Sequence, residues 1–196
     1  MNYDEILLKI RKFAYDNSEK DDIHGFKHVE RVLRTSLEIG AVLNANLLVI
    51  KIAALLHDVG RYLKKEDDLK NHAEVSAEIA DNFIIKNKFN FAIEDFENIL
   101  HCIRSHSFSN DLKPKTLEAK ILHDSDKLDA LGAIGLYRTV GFTIKNNRGI
   151  EQVISHLENK ILKLKDLLYL DYSKKIAEKR HKLALDFYDQ IKGELK

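Results

Sequence analysis

Nine histidines occur in a chain of 196 residues, and seven of them, His24, His28, His57, His72, His101, His106 and His123, fall between positions 24 and 123. His57 is followed directly by Asp58, and Asp126 lies in the acidic stretch that begins at His123. Neutral imidazoles and carboxylates are the donors with which a hydrolytic centre holds a divalent ion while leaving positions open for water. The spacing of His28, His57, Asp58 and Asp126 is such that antiparallel helices could bring all four to one point.

The elements that must position them are helices. The chain has a single proline, Pro114, and 8 glycines, and its wealth of Leu, Ile, Ala, Glu and Lys favours helix. Apolar residues recur at three- and four-residue spacing, as in Val29, Val32, Leu33 and Leu37, or Ile176, Leu183, Phe187 and Ile191. The pattern predicts helices over 2–17, 25–44, 47–58, 71–88, 93–106, 115–131, 133–145, 149–168 and 173–193. Loops are expected at 62–69, 107–114 and 146–149. Segment 47–58 is apolar nearly all round, the mark of a central, buried helix. It ends in His57-Asp58, so the doublet stands where the most rigid element emerges.

Composition narrows the functional classes. The 32 Lys and Arg nearly balance 31 Asp and Glu, for a net charge of +1, which argues against the basic face that nucleic-acid binding requires. One cysteine, Cys102, excludes an internal disulfide and fits a reducing compartment. The N-terminus has no signal-peptide core. The longest apolar stretch, Leu47 to Leu56, is interrupted by Lys51 and is too short to span a bilayer. A cytoplasmic protein with no membrane association is expected.

Three ordered motifs carry a resemblance. "HGFKHVERV" at 24–32, "AALLHDVGR" at 53–61 and "HDSDKLDALGAIG" at 123–135 resemble the H…HD…D signature of the HD superfamily of metal-dependent phosphohydrolases. "HCIRSHS" at 101–107 is similar to the segment that small stand-alone members carry between the doublet and the final Asp. The resemblance implies an all-α fold, a single HD-domain helical bundle of eight to nine helices over 1–196. Its motif-bearing core is about 20–145 and its C-terminal helices are about 149–193. It further implies that His28, His57, Asp58 and Asp126 hold one divalent ion, whose water becomes the nucleophile. Asp58 would both bind metal and accept a proton. His72, with His101 or His106, would serve a second metal or contact the leaving phosphate. Arg61 and Lys127, beside ligand positions, suit phosphate oxygens, with His101 as a further substrate contact. Glu66, Asp67 and Asp68 resemble the place where some relatives keep an acidic general acid or base, and none of the three is singled out. The substrate expected is a small phosphorylated molecule, a nucleotide, with pyrophosphohydrolysis favoured. A nucleotide-binding regulator, a 5′-nucleotidase or phosphodiesterase, and a helical interaction module docking through its last two helices are the alternatives. Mn, Mg, Fe, Co, Ni and Zn all suit the donors, as one ion or two, and a homodimer is an open arrangement.

Several residues have plainer readings. Asp124 competes with Asp126, but residues two apart on a helix point about 200° apart, so both cannot face one ion. Lys127-Leu128 follows Asp126 as the family motif has it, and Asp126 is therefore preferred. His72 follows Asn71, a candidate N-cap. His24 reads as a local cap or a support behind the ligands, His123 as structural, and His156 and His181 as solvent-facing. Cys102 reads as a small core residue, and Gly132, Gly135 and Gly141 as sites of close helix packing or helix ends.

Overall fold

In a computed structural model, which describes residues 2–63, 71–107 and 112–195, the described residues form helices and no strand. The chain divides into two units, Met1–His123 and Asp124–Lys196.

The first unit is built around α3 (Leu47–Leu56), preceded by α1 (Tyr3–Asp16) and α2 (Phe26–Val42) and followed by α4 (Val59–Leu63), α5 (His72–Lys86) and α6 (Ile93–Ser105). The start of α7 (Leu117–Asp129) completes it, and the division between the units falls within that helix. Asn46 caps α3, its side-chain oxygen accepting the N–H groups of Leu48 and Val49. From Val49 on, every residue of α3 except Lys51 is buried, and α1, α2 and α6 all pack against it. A helix this apolar is stable only when covered on all sides, and burial of Ile52, Ala53 and Leu56 without exposure satisfies that demand. Glu118 on α7 ties the group together, accepting from Asn46 N–H and from the Asn98 side chain of α6.

One feature here differs from the expected elements. The chain does not enter a loop after the doublet but forms a further short helix, α4, pressed on α5. Gly60 permits this: its N–H donates to Ser76 Oγ at 2.9 Å, and a Cβ added there would lie 2.5 Å from Ser76 N. Asn71 caps α5 as anticipated, accepting from Ala73 N–H at 2.9 Å. The expected charged loop, with Glu66, Asp67 and Asp68, lies outside the described residues, as does part of the loop expected at 107–114.

The second unit holds the end of α7, α8 (Gly132–Lys145), α9 (Ile150–Asn159), a 3-10 helix (Ile161–Leu167) and α10 (Asp171–Glu194). The helix expected over 149–168 breaks at Lys160, whose backbone leaves the helical region. Beyond the break Ile161 and Leu164 are both buried, three residues apart, and a three-residue turn stacks such a pair on one face. Gly132 opens α8 with φ +73 and lies against Arg180 of α10. The Arg180 guanidinium donates to Leu128 O at 2.7 Å. Within the run of charges from Lys174 to Arg180, Arg180 is packed, while Lys175 and Lys179 are exposed. Among the described residues, no helix is long and apolar enough to cross a membrane.

Candidate metal centre

Three helix ends, one helix face and the residue that follows α3 deliver the site from the first unit. His28 projects from the first turns of α2, His57 closes α3, Asp58 follows it directly, His72 opens α5 and His106 closes α6. His28, His57, Asp58 and His106 are buried, and His72 is half-buried.

The imidazoles are aimed by the backbone. His57 Nδ1 lies 2.7 Å from Ala54 O, and His106 Nδ1 lies 2.7 Å from Ile103 O. A carbonyl can only accept, so both Nδ1 atoms carry a proton, which leaves Nε2 as the atom through which each ring can ligate an ion. The Nε2 atoms gather around the same carboxylate. His28 Nε2 and His57 Nε2 are 3.7 and 3.8 Å from Asp58 Oδ2 and 3.4 Å from each other. His72 Nε2 and His106 Nε2 are 3.4 and 3.5 Å from Asp58 Oδ1. The carboxylate thus joins two triads, His28–His57–Asp58 and Asp58–His72–His106, each with its ligand atoms within 4.8 Å of one another.

The donors fit a divalent cation. Asp58 Oδ1 is buried and makes no hydrogen bond among the described residues, an arrangement that is costly unless a positive charge compensates it. Ligand atoms about 2.1 Å from one ion at tetrahedral angles stand about 3.4 Å apart, close to the separations seen. Burial works to raise the Asp58 carboxyl. The Arg61 guanidinium, foremost, with His57, His106 and His72, outweighs it and holds the group well below the usual carboxylate range. The carboxylate is therefore ionised, as a ligand must be.

Arg61 joins the cluster. Its Nε donates to Asp58 Oδ2 at 2.8 Å and its Nη2 to His72 Nε2 at 2.9 Å. The expected substrate contact His101 is engaged elsewhere: its Nε2 accepts Lys115 N–H at 2.9 Å. Burial, with Lys115 and Arg104 nearby, lowers its pKa. This fits a residue that anchors the chain leading into α7.

Asp126 and Lys127 belong to the second unit. There Asp124 is fully buried and accepts the N–H groups of Tyr169 and Leu170 at 3.0 and 2.9 Å. It fastens the entry to α10. Asp126 is half-buried, one position before a buried Lys127. Burial lowers Lys127 to about 8, Asp126 and Asp124 pull the other way, and Lys160 adds to the lowering. His156 and His181 are half-buried, not solvent-facing as expected, because α9 and α10 pack on one another. Sequence reasoning missed the carbonyls of Ala54 and Ile103. A histidine at a helix C-terminus, three residues beyond a carbonyl the helix leaves unpaired, is the signal that could have found them.

An all-helical scaffold whose helix ends close imidazoles around a His-Asp doublet defines the class: an HD-type hydrolase scaffold with a His/Asp metal centre. The HD domain profile matches residues 25–131, more than half of the sequence, and the chain belongs to the HD domain family. YpgQ of Bacillus subtilis is 28% identical to it over 200 residues, 98% of this chain and 93% of YpgQ. The crystal structure of YpgQ in complex with ADP matches at 26% identity with a TM-score of 0.78, over 99% of this chain and 97% of that one. An HD-superfamily hydrolase of Bacillus thuringiensis matches at 27% identity with a TM-score of 0.75, over 99% and 98% of the two chains.

Proposed function

We propose that the protein is a metal-dependent phosphohydrolase acting on a nucleotide, cleaving a phosphoanhydride so that pyrophosphate leaves. The observation that carries the hydrolase reading is the convergence of imidazole Nε2 atoms on the two oxygens of one buried carboxylate, Asp58. His28, His57 and Asp58 would hold the ion, with Asp126 as fourth ligand by its place in the final motif. In function residues 1–196 act as one HD domain.

A divalent ion there supplies a water of lowered pKa and polarises a phosphoryl oxygen. Asp58 Oδ1 is placed to accept the proton that water releases on attack. The His106 imidazole, 3.5 Å away, is next in line to take it on towards the leaving oxygen. In the overall change, water oxygen bonds to phosphorus, the bridging P–O bond breaks, and the bridging oxygen departs with its electron pair. Lys127, with its lowered pKa, and Arg61 are the cations assigned to the substrate's phosphates. The nucleotide class is supported by the ADP bound to YpgQ.

The test is to strip the protein of metal and restore Mn, Mg, Co, Ni or Zn. Nucleoside triphosphates, monophosphates and cyclic dinucleotides are then screened for release of phosphate and pyrophosphate, with Asp58→Ala alongside. Metal-restored release of pyrophosphate, reduced at least about 100-fold in the variant, is expected. Phosphate alone would replace pyrophosphohydrolysis with phosphatase chemistry. Stoichiometric metal binding without turnover of any nucleotide would overturn the enzymatic reading in favour of a nucleotide-binding regulator.

A further inference from the structure

Within the second unit, the last turn of α7 is tied to three other segments around Asp126. Two residues before it, Asp124 accepts the N–H groups of Tyr169 and Leu170. Two residues after it, Leu128 O accepts from the Arg180 guanidinium of α10 at 2.7 Å. Three residues after it, Asp129 Oδ2 accepts from Nη1 of Arg138, on α8, at 2.9 Å. Asp129 and Arg138 are both withdrawn from solvent, their side chains 7 and 11% exposed.

The first two ties satisfy backbone groups, as a packed fold requires. The third is of another kind. Taking a carboxylate and a guanidinium out of water costs about as much as their attraction returns, and an apolar pair of similar volume would hold α7 to α8 as well or better. An apolar pair lacks direction. A charge-assisted hydrogen bond fixes both the distance and the angle between its partners, so Arg138 limits the rotation of α7 about its own axis. Residues three apart on a helix lie about 60° from one another around that axis, and any turn of Asp129 carries Asp126 with it. Asp126 is half-buried, with a short side chain that has little reach of its own. A metal ligand must be held within about 10–20° of its productive direction, and the Asp129–Arg138 bond supplies that restraint one turn away.

We propose that the buried Asp129–Arg138 pair sets the rotation of the last turn of α7 and so aims Asp126 as a ligand. Asp129 and Arg138 are positioning residues: they act through Asp126 rather than by contact with an ion or a substrate. The proposal rests on the reading of Asp126 as the fourth ligand.

The experiment measures the Mn dissociation constant of the full chain from the electron paramagnetic resonance signal of free Mn, beside thermal unfolding of the metal-free protein. Asp126→Ala sets the scale of a lost ligand. Asp129→Leu/Arg138→Met replaces the pair by apolar side chains. It is expected to unfold no earlier than wild type, yet to bind Mn about 10–100-fold more weakly. A merely structural pair would not separate the two readouts in this way. Should the double variant not fold, Asp129→Leu alone removes the directed bond while Arg138 can turn its head to water, and the same loss of affinity is expected. Wild-type affinity in either folded variant, while Asp126→Ala binds weakly, would reduce the pair to packing. Weaker binding only in step with earlier unfolding would do the same. Undiminished Mn binding by Asp126→Ala would overturn the fourth-ligand reading and the role of the pair with it. No Mn bound by wild type would overturn the metal centre itself.

Discussion

At the scale of single residues, the Asp124–Ser125–Asp126 stretch holds one carboxylate whose duty is visible and one whose role is proposed. Asp124 is a structural acceptor: both its oxygens take backbone N–H groups at the entrance to α10, and its burial leaves no water to replace it. Asp124→Ala should cost about 1–3 kcal/mol, because it leaves two N–H groups short of an acceptor. Asp126→Ala should weaken metal retention with little loss of stability. Denaturant unfolding of metal-free protein, alongside metal titration of both variants, checks the pair. Equal loss of stability in the two would contradict the division. The histidines follow the same logic. His57 and His106 are oriented by carbonyls of their own helices, whereas His101 accepts the backbone N–H of Lys115.

At the scale of elements, the site depends on how α4 meets α5. The α4 backbone sits against Ser76 through Gly60, which brings Arg61 to His72. Gly60→Ala would drive a Cβ to 2.5 Å from Ser76 N and 2.9 Å from Val75 C, and backbone cannot yield as a flexible side-chain end can. The expected result is a loss of about 1–3 kcal/mol, with looser metal binding than in wild type because Asp58 begins the displaced segment. Thermal unfolding and metal affinity measured together test this. A variant that unfolds earlier but binds metal normally would confine the role of Gly60 to packing. Sequence periodicity made most elements legible. Segment 47–58 showed its buried character in the run Val49 to Leu56, and Asn71 announced the start of α5. The helix after the doublet was not legible, since Val59 to Leu63 is too short to show a period. Nor was the break at Lys160, because Ile161, Leu164 and Leu168 suit an α-helical face and a 3-10 turn almost equally.

At the scale of the whole molecule, the single thiol reports on opening of the first unit. Cys102 on α6 has no exposed surface, and burial, with Glu118 nearby, pushes its thiol well above the usual range. Both effects suppress the thiolate that alkylating reagents need. Folded protein should therefore resist a thiol reagent under conditions in which denatured protein is labelled fully. The labelling rate under native conditions should follow the opening of the first unit's core. Rapid labelling of protein that is folded by circular dichroism would show that α6 opens far more readily than its burial implies. The second unit is equally built as a packed body: Asp124 at its start grips the entry to α10, and Arg180 of α10 reaches back to Leu128.

The sequence by itself determined the all-helical class, the central helix, and the identity of His28, His57 and Asp58 as partners, because helical period and motif order are local properties that survive in one dimension. It also separated Asp124 from Asp126, since two residues that close on one helix must point apart. Tertiary structure alone decided that Asp58 shows one oxygen to each of two imidazole pairs, that Arg61 turns to His72, and that His101 binds the chain before α7. Periodicity tells which residues share a face of one helix. It carries no information on the rotation and crossing of separate helices, and those are set by how α2, α4, α5 and α6 settle around the buried α3.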